Sequence, residues 1–153
     1  MINIVMVEPE IPPNTGNVAR SCAATGAKLH LVGKLGFSVD DKQLKRAGLD
    51  YWHLLDIEQH VSLEELWAKD PTARYFYLST KGYKHYSNIK FASGDYIVFG
   101  KETKGLPAEL IAGKLDFTFR IPMREGARSL NLANSVAIVL FEALRQLDFP
   151  GLQ

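Results

Sequence analysis

Residues 96–107 read Tyr-Ile-Val-Phe-Gly-Lys-Glu-Thr-Lys-Gly-Leu-Pro, and this stretch indicates the fold class. Its first four residues are β-branched or aromatic, which is typical of a strand buried in a sheet. A polar loop with two glycines follows, and Pro107 lies near the start of a short helix that we expect to end at Gly113. A strand followed by a loop and a helix is half of a βαβ unit, so this stretch predicts a parallel sheet.

The same alternation of strands and helices extends along the chain in both directions. Four more strands are predicted, at Ile2–Val7, Leu29–Val32, Arg74–Thr80 and Phe117–Ile121. The other predicted helices are Asn17–Thr25, Asp40–Ala47, one from Ser62 to about Lys69 and one from about Leu132 to Leu147. Strands separated by helices predict crossovers that cover both faces of the sheet. We therefore expect an α/β fold, a mainly parallel sheet flanked by helices, in a single domain of residues 1–153.

Local signals predict where several helices begin and end. The loop of residues 8–16 contains three prolines, which should exclude it from the elements on either side. Asn14 or Thr15 is the expected N-cap of the helix that follows, and Gly26 is its expected end. Ser62-Leu63-Glu64-Glu65 fits a capping box, and Pro150 should stop the last helix.

Charge and hydropathy exclude several classes of protein. The chain has 18 Lys and Arg against 17 Asp and Glu, so nucleic acid would have to bind at a local basic patch. The longest apolar run, Val136–Phe141, is far too short to span a membrane. The first residues have neither a basic flank nor a small-residue cleavage site. We expect a soluble, cytoplasmic protein with no membrane segment.

Several common catalytic and cofactor motifs are missing from the sequence. No Gly-x-Gly-x-x-Gly follows the first strand, no Gly-x-Ser-x-Gly elbow occurs, and Gly100-Lys101 lacks the rest of a P-loop. Cys22 is the only cysteine, and its apolar neighbours predict a small core residue. The histidines lie far apart and form no His-x-x-x-His pair, so we expect no metal site; they are His30, His53, His60 and His85.

Three polar loops, each following a predicted strand, remain as the candidate site. They comprise residues 14–20, residues 99–107, and a segment from 121 to 135. Ligands of an open parallel sheet bind beyond the carboxyl ends of its strands, where such loops lie. Taken singly, each loop is typical of a helix cap or a hinge. Only their combination indicates a particular function.

Together the three loops resemble the SPOUT superfamily of RNA methyltransferases in residue type, spacing and order. The matching positions are Asn14-x-Gly16-Asn17-x-x-Arg20, Gly100-x-Glu102-x-x-Gly105-Leu106-Pro107, Ile121-Pro122-Met123 and Ser129-x-Asn131-Leu132-x-Asn134-Ser135. The resemblance covers nearly the whole chain and is strongest to members that methylate the wobble ribose of tRNA. It implies a deep trefoil knot near the C-terminus, a homodimer and S-adenosylmethionine as cofactor. The implied activity is 2′-O-methylation of the wobble nucleotide, a cytidine or a modified uridine.

The resemblance also assigns expected roles to individual residues. The catalytic candidates are Arg20, Asn14 and Asn131, and the cofactor-binding candidates are Leu78, Gly100, Ile121, Ser129 and Leu130. A guanidinium stays protonated in proteins, so we expect Arg20 to hold the phosphate or ribose and to stabilise the developing alkoxide. Glu102 has two possible roles. It is either a partner for Arg20 or for the substrate, or it caps a loop.

Partners are expected at basic clusters and at the last helix. Basic residues interleaved with aromatics suit an unpaired anticodon loop, and the tRNA-binding candidates are Lys45, Arg46, Lys84 and Arg128. The last helix is apolar around most of its circumference, which by itself indicates either a central core helix or a subunit interface. The resemblance favours a homodimer through this helix. The alternative functions are a SPOUT-fold enzyme with another RNA site and a non-catalytic RNA-binding or assembly factor.

Overall fold

A seven-stranded parallel sheet forms the centre of the protein in the computed structural model. The structure describes residues 1–38, 40, 42–48 and 53–153, and at residues 45, 47 and 48 it describes only the backbone. The strands are β1 (Asn3–Val7), β2 (Lys28–Val32), β3 (Ile57–His60), β4 (Tyr75–Leu78), β5 (Lys84–His85), β6 (Tyr96–Phe99) and β7 (Thr118–Arg120). Their order across the sheet is β3-β2-β1-β6-β4-β7-β5, and every pair is parallel. The predicted α/β class and parallel sheet are confirmed.

Helices cover both faces of the sheet. They are α1 (Pro12–Thr25), α2 (Lys42–Gly48), α3 (Leu63–Lys69), α4 (Ala108–Ile111) and α5 (Leu132–Gln146). On one face α1 and α5 pack against the sheet around Cys22 and Leu140, and on the other Leu66 of α3 lies in a second core. Burial raises the pKa of the Cys22 thiol to about 12, as expected for a core cysteine. Among the described residues, no helix combines the length and apolar content needed to cross a bilayer.

Helix α1 begins earlier than the sequence predicts. It starts at Pro12 instead of Asn17, and Ile11 is its N-cap in place of Asn14 or Thr15. The two prolines occupy the first helical positions, where a missing N–H costs no intrahelical hydrogen bond. The prediction that the prolines exclude this segment from the helix is therefore wrong, although Gly26 ends the helix with a left-handed φ of 77° as expected.

The sequence does not predict β3 and β5, and the structure places both at edges of the sheet. Edge strands pair on one side only, and natural edge strands are often short and charged. The sequences Ile-Glu-Gln-His and Lys-His therefore lack the apolar pattern that indicates a buried strand. The predicted strands at 74–80 and 117–121 shorten to β4 and β7, because Arg74, Ser79 and Ile121 lie in loops and Phe117 ends a short 3-10 helix.

The capping box predicted at Ser62 is confirmed, whereas Pro150 is not the residue that ends the last helix. The Ser62 hydroxyl accepts a hydrogen bond from the Glu65 N–H at 3.2 Å, and the Glu65 carboxylate accepts one from the Val61 N–H at 2.7 Å. Helix α5 ends at Gln146, before Pro150, because Asp148 and Phe149 adopt positive φ angles that turn the chain.

Two histidines that are distant in sequence meet on neighbouring strands. His30 Nδ1 lies 2.9 Å from His60 Nε2, and His30 Nε2 lies 3.0 Å from the Asn3 side-chain oxygen. Glu58 is close to both rings, so three side chains of metal-ligand type lie together, and Glu58 also pairs with Lys28 and Lys69. The expectation that the histidines are all far apart is thus wrong, because residues of β2 and β3 become neighbours through strand pairing.

This histidine pair should make stability depend on pH. Burial lowers the pKa of His30 to about 4, and the pKa of His60 is also lowered. Below about pH 6.5 the unfolded chain therefore binds more protons than the folded chain. The free energy of unfolding should be at its full value above that pH and should fall towards pH 4, by at most about 1.4 kcal/mol per pH unit for one group. Urea unfolding at several pH values would measure this dependence. His30→Gln should have a shallower dependence, and equal slopes for both proteins would contradict the prediction.

Candidate active site

A cavity of about 620 Å³ opens at the carboxyl ends of β4, β6 and β7. Its walls come from residues near 78–81, 99–105, 121–123 and 128–135, together with Ile11 and Asn14 at the start of α1. Parallel α/β sheets bind ligands at this end of their strands, and the volume suits a small organic molecule. Segments far apart in the chain converge here because β6 lies between β1 and β4.

Close backbone packing shapes one wall of the cavity. A Cβ atom on Gly100 would lie 2.1 Å from the Gly105 carbonyl carbon and 2.2 Å from the Leu106 nitrogen, so a side chain cannot fit there. The loop of residues 101–105 folds back on itself, with the Gly105 N–H donating to the Lys101 carbonyl at 2.9 Å. Gly105 has a positive φ of 64°, which completes this reversal. The reversed loop brings its backbone to the cavity.

The carboxylate of Glu102 joins this loop to the start of α1. It accepts hydrogen bonds from the Glu10 N–H at 2.9 Å and from the Ile11 N–H at 2.7 Å. The Asn14 amide also donates to it at 3.3 Å. These contacts satisfy backbone donors at the helix start and place a negative charge where the helix dipole favours it. Of the roles that the sequence left open for Glu102, the structure supports the capping role.

Two asparagines extend this connection to the last helix. The Asn131 amide donates to the Asn14 side-chain oxygen at 3.1 Å. The Asn131 side-chain oxygen in turn accepts from the Asn134 N–H at 3.1 Å and so caps α5. Asn14 is buried, so its polar groups need these partners. The two asparagines are thus held side by side at the cavity wall.

The structure brings most of the predicted site residues together. Those that line the cavity are Asn14, Leu78, Gly100, Ile121, Arg128, Ser129, Leu130 and Asn131. Arg20 does not line it: this residue is exposed on α1, six residues after Asn14 and about 9 Å further along the helix axis. Arg46 and Lys84 also lie outside the cavity, and the Lys45 side chain is outside the described part of the chain.

One contact beside the cavity, between Glu10 and Thr103, is not predicted by the sequence. The Glu10 carboxylate accepts hydrogen bonds from the Thr103 N–H at 3.2 Å and from the Thr103 hydroxyl at 2.7 Å. These bonds lower the pKa of Glu10, and nearby Lys101 and Lys104 contribute to the same shift. The partners are 93 positions apart, so no local spacing indicates the contact.

The cavity rim is mainly cationic. Lys81, Lys101, Lys104 and Arg128 line it, whereas Glu102 is the only carboxylate among the lining residues that the structure describes. A concave site with this excess of cations attracts anionic groups such as the phosphates of a nucleic acid. The arrangement suits a small molecule inside the cavity and an anionic substrate at its mouth.

A parallel α/β sheet with a ligand-sized cavity at its carboxyl edge is the architecture of an α/β enzyme, a class that the family match narrows to a methylase. The family model described as the SpoU rRNA Methylase family matches residues 1–141, and the chain belongs to this family. The resemblance inferred from the three loops is therefore confirmed.

Similar proteins cover nearly the whole chain. A tRNA (cytidine(34)-2′-O)-methyltransferase from Methylovorus glucosotrophus is 52% identical over 155 residues, which cover 99% of each chain. A solved structure concerned with the 2-OH methylation of C/U34 on tRNA has a TM-score of 0.92 at 44% identity and 97% coverage of both chains. An AdoMet-bound rRNA methyltransferase from Sinorhizobium meliloti has a TM-score of 0.84 at 28% identity, covering 95% of this chain and 56% of its own.

Proposed function

We propose that this protein transfers the methyl group of S-adenosylmethionine to the 2′-hydroxyl of the wobble nucleotide, a cytidine or a modified uridine, in tRNA. The observation that carries the proposal is the convergence of the three matching loops on one cavity. The chain is also 52% identical to a tRNA (cytidine(34)-2′-O)-methyltransferase. The cationic rim supports an RNA substrate in particular. Because its substrate would be tRNA, we also propose a cytoplasmic location.

The cavity is large enough for S-adenosylmethionine, at about 620 Å³. Gly100 has no side chain, so the backbone of Gly105 and Leu106 can pack against it and bring loop 101–105 to the cavity wall. We assign the adenine and ribose to the backbone and apolar side chains near Leu78, Gly100, Ile121 and Leu130, and the methionine part to Ser129. When bound, the cofactor supplies an electrophilic methyl carbon on a positively charged sulfur.

The residues of the chain align the substrate and stabilise its charge. The 2′-hydroxyl oxygen would accept the methyl group that the cofactor supplies, the sulfur would keep the electron pair of the broken carbon–sulfur bond as a neutral thioether, and the hydroxyl proton would pass to solvent. In our proposal Asn14 and Asn131 orient the reacting groups, and Arg20 holds the phosphate or ribose and stabilises the developing alkoxide. Alignment of this kind lowers a barrier by up to about 7–11 kcal/mol in well-oriented systems.

Arg20 lies outside the cavity of its own chain, so we propose that the active protein is a homodimer through α5. Ile138 and Phe141 project from this helix with exposures of 37% and 46%, although the opposite side of α5 is buried in the core. Exposed apolar side chains on a helix that is otherwise in the core favour a second subunit as their cover. Light scattering would measure the assembly state.

The strand order supports a knotted chain. β6 lies between β1 and β4, and β7 lies between β4 and β5, so late segments sit between strands that precede them in the chain. We propose that the C-terminal segment threads through an earlier loop, as the family resemblance implies. Such threading is rare in proteins, and local sequence patterns do not predict it.

We expect Lys84→Ala to weaken tRNA binding without changing cofactor affinity. The Lys84 ammonium lies outside the cavity, 5.9 Å from the ring of Tyr83, whose side chain is 64% exposed. A cation beside an exposed aromatic ring suits a phosphate next to an unpaired base. Losing one phosphate contact should reduce the salt slope of binding by about 0.7–0.9, measured by titration at several salt concentrations. Lys45→Ala should act similarly.

Lys114 provides the control for these lysine substitutions. Its ammonium lies 4.7 Å from the ring of Trp67, in a separate groove. Lys114→Ala removes the same charge away from the proposed RNA path and should leave the salt slope unchanged. Unchanged affinity and salt slope in both Lys45→Ala and Lys84→Ala would contradict these assignments.

Methyl transfer from labelled S-adenosylmethionine to tRNA lacking the modification tests the function directly. Nuclease mapping would identify the labelled atom, which we expect to be the 2′-oxygen of the wobble nucleotide. Label at another RNA position would support the alternative of a different substrate. Cofactor binding without transfer to any RNA would instead favour a non-catalytic RNA-binding or assembly factor.

A further inference from the structure

Two carboxylates form hydrogen bonds that link the segment before α1 to the loop of residues 101–105. Glu102 in the loop accepts from the Glu10 and Ile11 N–H groups. Glu10 in the segment accepts from the N–H and hydroxyl of Thr103 in the loop. Each chain segment thus supplies the acceptor for donors of the other, so the two segments hold each other in one relative position.

Glu10 binds the tip of the loop, whereas the loop's own backbone hydrogen bond joins only its two ends. The bridge between Lys101 and Gly105 closes the base of the loop, whereas Thr103 lies at its tip. Lys101 and Lys104 flank Thr103, and their charges favour an anionic partner at this point. All five loop residues line the cavity, so the position of the tip affects the shape of the cavity wall.

The segment that carries Glu10 is itself fixed from the opposite side. The Gly36 N–H donates to the Pro9 carbonyl at 3.0 Å, and a Cβ on Gly36 would lie 2.9 Å from the Glu10 Cα. Glu8 adopts a positive φ of 50°, and its N–H donates to the Val32 carbonyl at 2.8 Å. A backbone held on both sides presents the Glu10 carboxylate as a fixed acceptor for the loop.

From this geometry we infer that Glu10 is a positioning residue for the proposed cofactor: its carboxylate holds the tip of loop 101–105 in the conformation that the cofactor contacts. The inference rests on the proposed function. Glu10 does not line the cavity, so it acts through Thr103 and not by touching the cofactor. Its loss should weaken cofactor binding and leave the chemistry of a saturated enzyme unchanged.

Binding of S-adenosylmethionine by the full chain, measured by calorimetry, tests the inference. Glu10→Ala should raise the Kd about tenfold, since two hydrogen bonds to a carboxylate are lost. The kcat at saturating cofactor should stay within about twofold of wild type, because the reacting groups keep their positions. Glu10→Gln should restore binding, because its amide oxygen can accept both bonds from Thr103. Thr103→Val removes only the hydroxyl bond and should raise the Kd by a smaller factor.

Glu64→Ala, which removes an exposed carboxylate from the first turn of α3, is the matched control and should bind like wild type.

An unchanged Kd in both Glu10→Ala and Thr103→Val would overturn the inference and leave the proposed function intact. A lower melting temperature with an unchanged Kd would show that Glu10 is merely structural. If Glu10→Ala does not fold, the Kd of Thr103→Val decides. If wild type binds no cofactor, the proposed function fails, and the inference fails with it.

Discussion

Gly100→Ala should abolish binding of S-adenosylmethionine and lower the free energy of unfolding by about 3 kcal/mol, at the upper end of overpacking effects. The added methyl group would lie 2.1 Å from the backbone of Gly105 and 2.2 Å from that of Leu106. A flexible side chain could move aside, but these are backbone atoms of a loop that the bridge between Lys101 and Gly105 holds in place. The loop must therefore shift away from β6, and the cavity wall shifts with it.

Calorimetry with the cofactor and chemical denaturation would measure the two effects of Gly100→Ala. Gly113→Ala is the matched control, because a Cβ there meets nothing within 4 Å and the residue does not need a positive φ. This control should bind the cofactor normally and be at least as stable as wild type. Wild-type affinity in Gly100→Ala would contradict the assignment of this wall to the cofactor.

Arg20→Ala should lower kcat by about 10²–10³, the usual loss when one group that stabilises a developing negative charge is removed. Arg20 does not line the cavity, so cofactor affinity should remain at the wild-type value. Because Arg20 is exposed on α1, its removal leaves no cavity in the core and should change stability little.

Single-turnover methyl transfer with saturating tRNA separates this catalytic loss from weaker substrate binding. Arg20→Lys keeps the charge but loses the planar fork of donors, so its activity should lie between those of wild type and the alanine variant. Full activity in Arg20→Ala would exclude Arg20 from the reaction. Lost cofactor binding in the same variant would show that Arg20 supports the fold of the site instead.

The sequence predicts the parallel sheet and the loops of the site because both are local patterns. A buried strand such as β6 is a short apolar run, and the loop after it must lie at the carboxyl edge of the sheet. Gly100 and Asn131 can thus be identified as site residues before any contact is known. Local patterns fail at β3, because an edge strand lacks the continuous apolar run of a buried strand. They also fail at the start of α1, because a proline can either interrupt a helix or occupy its first turn.

By itself, the sequence determined the class of fold, the three loops of the candidate site and the family resemblance. The tertiary structure alone decided which residues of those loops touch, namely Glu102 with Asn14 and Asn131 with Asn14. It also placed Glu10, which lies outside the three loops, against Thr103. It also decided the meeting of His30 and His60, which follows from the pairing of β2 with β3. The loop contacts follow because β1 pairs with β6, a strand far along the chain, and β6 in turn with β4. Spacing and periodicity describe a segment and its immediate neighbours, whereas these contacts depend on the order of strands across the sheet.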